Sequence, residues 1–118
     1  MDDNTSVAEA FSRHEFERAL PRMAQNVTWT AIGGATLHTR DEVEAACRKT
    51  AEYLDSEDTE FSYFRTVSTE STVVTESRAT YRDPDGVSSS VASCDIYDFE
   101  NGQLFAITSY TVELPDLG

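Results

Sequence analysis

The side chain with most to offer chemically is the carboxylate of Asp95. In VASCDIYDFENGQLF, residues 91–105, alternation puts Val91, Ser93, Asp95, Tyr97 and Phe99 on one face of a strand. Ala92, Cys94, Ile96 and Asp98 fall on the other. A carboxyl group sharing a face with Val91 and Phe99 loses solvation, and desolvation favours its neutral form. Such a group can act as a general acid or hydrogen-bond donor. The alternative is a partly hydrated carboxylate bonded to Tyr97 or to a neighbouring hydroxyl.

Other chemistries have weaker signals. His14 and His38 are the only histidines, and HEFE lacks the second His of a zinc-binding helix. The DPDG sequence at 83–86 has no following Glu at calcium-loop spacing, so it reads as a type I turn. No metal site or cofactor is expected. Cys47 and Cys94 form no CxxC pair and read as reduced thiols, with Cys94 facing away from Asp95. Neither looks like a nucleophile.

The elements that must position Asp95 follow from periodicity. Ser6-Val7-Ala8-Glu9 reads as a capping box opening a first helix that carries Val7, Ala10 and Phe11. HEFERALPRMA reads as a second helix with Phe16, Ala19, Leu20 and Met23 on one side, kinked or ended by Pro21. NVTWTAIGG alternates, with Val27, Trp29 and Ala31 on one face. Thr39-Arg40-Asp41-Glu42 opens a third helix with Val43, Ala46, Cys47, Thr50, Ala51 and Leu54 at a 3.6 period. From residue 59 onward the pattern is a four-strand meander, its last turn an Asn101-Gly102 hairpin that needs positive φ at both positions. Helices followed by long strands predict an α+β fold, a curved antiparallel sheet wrapped around N-terminal helices. Helices that do not fill the concavity leave a pocket, and a polar residue on the concave face lies inside it.

Composition narrows the partners. A chain of 118 residues with 39% hydrophobic residues reads as a single domain over 1–118. A net charge of −13 with one lysine, Lys49, argues against nucleic acid and against anionic membrane surfaces. The acidic start MDDNTSVAEAF has no apolar signal region, and no run is long enough to span a bilayer, so a cytoplasmic location is expected.

The segments MAQNVTWTAIGG, LHTRDEV, TVVTESRATYRDPDG and CDIYDFENGQLFAITSYTVEL together resemble the nuclear transport factor 2-like superfamily, and in particular its small bacterial SnoaL-like members. The resemblance runs from about Val7 to Leu114 and implies a cone-shaped, cystatin-like fold. In the superfamily's ketosteroid isomerases a protonated Asp lies four residues before the Phe that ends the penultimate strand, and Asp95 stands so before Phe99. The isomerase base position falls on Ala31, and the essential last-strand Asp of the epoxide hydrolases falls on Ser109. Neither constellation is complete.

The resemblance turns Trp29 toward the cavity, as ligand platform or core. Tyr81, sharing a face with Ser77, either presents its phenol to a ligand or closes the strand end. Ser93 and Tyr97 flank Asp95, Ser109 and Thr111 line the opposite wall, and Tyr53 lies near the mouth or packs on the sheet. The implied partner is a small hydrophobic molecule. The implied chemistry is acid-assisted isomerisation, cyclisation or hydration with Asp95 as catalytic residue, or else none, in a vestigial pocket. On the convex face, Ala92, Cys94, Ile96, Thr108, Tyr110 and Val112 make a patch too apolar to leave in water, and sheet-to-sheet pairing is common in the family. A homodimer through that face is expected.

Overall fold

A computed structural model describes residues 3–115. In chain order it contains α1 (Asn4–Ser12), α2 (Phe16–Ala19), a 3₁₀ turn (Leu20–Arg22), β1 (Met23–Ala31), β2 (Thr36–His38) and α3 (Arg40–Asp55). The meander follows as β3 (Asp58–Ser68), β4 (Thr72–Arg82), β5 (Ser88–Glu100) and β6 (Gln103–Leu114). The fold is α+β, as the patterning predicts. One curved, unclosed sheet has the order β2-β1-β6-β5-β4-β3. All neighbours are antiparallel except β1 and β6, which run parallel. That pair departs from the all-antiparallel expectation, because α3 and the meander together form the long crossover that a parallel pair requires.

Two local readings change and a third holds. The N-cap of α1 is Asp3, whose Oδ1 accepts the Ser6 N–H at 2.8 Å, so Ser6 lies inside the helix rather than capping it. An aspartate caps at least as well as serine and adds charge at the positive end of the helix. The second helix has only four residues. Pro21 holds the next turn in a 3₁₀ conformation, and Met23 begins β1 instead of extending the helical face. At α3 the capping reading holds, since Thr39 Oγ1 accepts the Glu42 N–H at 3.3 Å. The Glu42 carboxylate reaches back to the His38 N–H at 2.9 Å.

The core sits where α1 and the first half of α3 meet the concave face. Val7, Phe11, Val27, Val43, Cys47, Tyr97, Leu104 and Ile107 are buried in one cluster. A bulge lies in β6, where Asp98 pairs with Ala106 and Phe99 with Leu104, leaving Phe105 as the extra residue. It keeps Leu104 and Ile107 on the same inward face although an odd number of positions separates them. The Asn101-Gly102 turn has φ of 53° and 79°, as its sequence requires. Glu9 of α1 accepts a hydrogen bond from Thr66 of β3 at 2.6 Å, which ties the helix to the far edge of the sheet.

Candidate functional site

Beyond Cys47 the inner side of α3 stops filling the concavity. Val43 and Cys47 are buried, whereas Thr50 is half-exposed and Ala51 exposed. The opposing sheet is also built from small side chains, among them Ala31, Ser77, Ser93 and Ser109. Short residues facing each other leave space, and an open cavity of about 340 Å³ results. Its lining includes Phe11, Ser12, His14, Phe16, Trp29, Thr50, Phe61, Tyr81, Val91, Asp95 and Thr111 as well. Among the described residues, no lysine or arginine lines it.

Asp95 lies mid-sheet, in register with Thr75 of β4 and Ser109 of β6. Its Oδ2 accepts the Ser12 hydroxyl of α1 at 2.9 Å. Ser12 Oγ also lies 2.7 Å from Thr75 Oγ1 and 2.5 Å from the Tyr97 hydroxyl. Ser12 has one proton and two lone pairs. If its proton goes to Asp95, the hydroxyls of Thr75 and Tyr97 both donate to Ser12, and every hydroxyl in the knot is satisfied. A second, long contact of 3.5 Å runs from the Tyr97 hydroxyl to the same Oδ2. Two hydroxyls, those of Ser12 and Tyr97, therefore reach one carboxylate oxygen, with Thr75 joined through Ser12, while Oδ1 takes no partner among the described residues. Burial, and secondarily the charge of Asp95, push Tyr97 well above the usual phenol range, so it stays a donor.

A second polar cluster stands toward the mouth. His14 Nε2 lies 3.0 Å from the Tyr81 hydroxyl, and the imidazole packs near Phe16 and Phe61 with centroid distances of 5.7 and 5.9 Å. Burial lowers the pKa of His14 and raises that of Tyr81. The charge of Asp95 acts on both, opposing the shift at the histidine and adding to it at the phenol. Both groups are thereby held neutral. A smaller recess of about 260 Å³ adjoins, lined by His14, Thr50, Tyr53, Leu54, Tyr81 and Ser89.

The other sequence-derived residues fall as follows. Trp29 lines the cavity, packs edge-on against Phe11 at 5.1 Å and donates its indole N–H to Ser109 Oγ at 3.0 Å. Ser77, Tyr81, Ser93, Ser109 and Thr111 line it too. Tyr97 does not: it is fully buried and forms part of the hydroxyl knot beneath Asp95. Tyr53 is 64% exposed and borders the outer recess, not the cavity. Cys47 is buried and pushed up to about 12 by burial and then by Glu44, which leaves an inert thiol. At DPDG, Gly86 N–H donates to Asp83 O and the Asp83 carboxylate accepts the amides of Asp85 and Val87, so the carboxylate serves the turn. No group of metal-ligating side chains is assembled among the described residues.

Among the cavity residues that the sequence reading missed are Ser12 and His14, with Thr50 and the rings of Phe11, Phe16 and Phe61. Ser12 falls four positions after Ala8, on the inner stripe of α1, and that spacing was the available signal. His14 had only its place just past a helix end.

The pattern of the SnoaL-like domain family matches residues 5–107. The chain belongs to the SnoaL-like family. No curated protein matches this SnoaL-like chain. Among solved structures, it is similar to a nuclear transport factor 2-like protein of unknown function from Cytophaga hutchinsonii, with 27% identity and a TM-score of 0.80. That match covers 91% of this chain and 94% of the other. A protein provisionally named a polyketide cyclase from Xanthomonas campestris has 17% identity and a TM-score of 0.70, covering 88% and 83% of the two chains. An epoxide hydrolase-like protein of M. tuberculosis has 12% identity and a TM-score of 0.70, covering 92% and 81%. At such identities the last two show the fold alone. No helix among the described residues is long and apolar enough to cross a membrane.

Proposed function

We propose that this SnoaL-like protein binds a small apolar organic molecule in the cavity, with Asp95 as the polar group that meets it. The observation that carries this reading is a carboxylate on the wall of an open, largely apolar space. Its Oδ2 is engaged by Ser12, and Oδ1 is left to face a ligand. The volume, about 340 Å³, lies at the small end of the range of ligand pockets, roughly 300–1,000 Å³. It suits a molecule of one or two rings.

The chemistry that fits is proton transfer by Asp95 in an isomerisation, cyclisation or hydration. Structural relatives named as cyclase and epoxide hydrolase-like support that class without naming a substrate. A ligand-binding role without turnover is the second reading, and Ala31 favours it by placing a methyl group where the isomerases carry a base. We assign the protein to the cytoplasm and to a homodimer paired through the convex face, where Tyr110 is 44% and Val112 61% exposed. Light scattering at micromolar concentration tests the dimer, and a monomer would refute it.

Native mass spectrometry of the protein purified from its own host tests the ligand reading. The expected result is a small organic adduct that denaturation releases and that Asp95→Asn diminishes. A bare protein mass, with no binding of small aromatic probes, would overturn it.

A further inference from the structure

We propose that His14 and Tyr81 form a second polar pole of the cavity, which takes the carbonyl or hydroxyl oxygen of a neutral, ring-sized ligand whose other oxygen meets Asp95. This rests on the ligand-binding reading above and specifies the ligand's class.

The two poles are separated along one face. Asp95 is in register with Thr75, and Tyr81 stands six positions further along β4, beside Ser89. The cavity wall between them is made of Ser77 on β4 with Val91 and Ser93 on β5, none of them large. That leaves a slot with an oxygen-binding group at each end. The His14–Tyr81 couple borders both the cavity and the outer recess, so a ligand entering from the recess passes it first.

Proton bookkeeping shows what the couple can read. In one tautomer the Tyr81 phenol donates to Nε2, and its lone pairs stay open to a ligand hydroxyl. In the other, Nε2–H donates to the phenol oxygen, and the phenol O–H is free for a ligand carbonyl. Both are neutral arrangements, and burial disfavours charge on either partner. With Asp95 at the opposite end and no lysine or arginine among the described residues of the lining, an anionic ligand finds no counter-charge there. A neutral hydroxy- or carbonyl-bearing ring compound fits both ends.

The backbone holds the imidazole in place at a cost. α1 ends in a Schellman motif, in which the His14 N–H donates to Phe11 O at 3.0 Å and the Glu15 N–H to Ala10 O at 2.8 Å. His14 occupies the left-handed position of that motif at φ 67°, where glycine is the unstrained residue. A side chain there fixes the ring between α1 and the end of β4, 67 residues on in sequence.

The test is an NMR titration with naphthalene, 2-naphthol and naphthalene-2,6-diol, on the wild type and on Tyr81→Phe and His14→Asn. Asparagine tolerates the left-handed conformation, so the second variant keeps the fold if the first does not. In the wild type each hydroxyl should tighten binding roughly three- to tenfold, the worth of one net hydrogen bond. The diol should also shift the ring nitrogens of His14. Both variants should lose the gain from the second hydroxyl, read as the ratio of diol to 2-naphthol affinity within each protein, whatever they do to naphthalene itself. If naphthalene binds but the diol gains nothing, or gains equally in the variants, the second pole is refuted while the cavity reading stands. If none of the three binds, both fall.

Discussion

Replacing His14 by alanine and by glycine separates what its side chain does from what its backbone endures. Both variants lose the hydrogen bond with Tyr81 and the contacts with Phe16 and Phe61. That loss is worth about 0.5–1.5 kcal/mol for the bond and about 1 kcal/mol for the half-buried ring. Only alanine keeps a Cβ at φ 67°. The left-handed conformation costs an L-residue roughly 1–2 kcal/mol, and the greater freedom of glycine in the unfolded chain returns about 0.4–1 kcal/mol of that. Glycine should therefore be more stable than alanine by about 1 kcal/mol, although at most helical or strand positions it would be less stable. For a chain of 118 residues this is a difference of about 3–6 °C in Tm. Urea melts and thermal denaturation of the two variants, run side by side, measure it directly. Equal stability, or a more stable alanine variant, would show that His14 does not occupy the left-handed end of the Schellman motif. The strain argument would then be withdrawn.

Ser12→Ala should destabilise by about 1–3 kcal/mol in urea melts, because it strands the buried hydroxyls of Thr75 and Tyr97; no change would mean that water fills the gap. Burial lowers the pKa of His14, so on acidification the unfolded chain takes up its proton first. Its share of stability is present above the unfolded value of about 6.5 and is lost as pH falls from there toward the folded value. His14→Gln should flatten that limb of the stability–pH curve, and an unchanged curve would assign the loss to other groups. Trp29→Ala should weaken aromatic ligands more than it lowers stability; unfolding without a ligand effect would make Trp29 a core residue only.

Much of this arrangement is legible in the sequence because it depends on strong local periods. The alternation of β5 places Asp95 on the face with Val91 and Ser93, and the 3.6 period of α3 puts Val43 and Cys47 inward. What is not legible depends on non-local partners. Asp3 displaces Ser6 as cap because both residue types fit the motif, and only the first turn's geometry chooses between them. The bulge at Phe105 comes from satisfying Leu104 and Ile107 on one face, which no window of β6 announces. Tyr97 moves from the lining to the buried layer beneath because α1 supplies Ser12, which sits 85 positions away in sequence, as its partner. Tyr53 lies one helical turn beyond Thr50, where α3 has already left the cavity for the outer recess. His14 is hidden for the same reason, since Tyr81 reaches it only after the sheet has curved.

The central claim is that the cavity holds an organic ligand against Asp95. Trp29 is the only tryptophan, and its indole N–H sits in the cavity wall on Ser109, which makes it a single built-in reporter. The most direct measurement is a titration of ¹⁵N-labelled protein with 2-naphthol, following the indole cross-peak of Trp29 in the wild type and in Asp95→Asn. A saturable shift in the wild type, weakened roughly three- to tenfold by the substitution, is the predicted result. An indole peak that stays still while residues on the convex face shift, or affinity unchanged by Asp95→Asn, would contradict it.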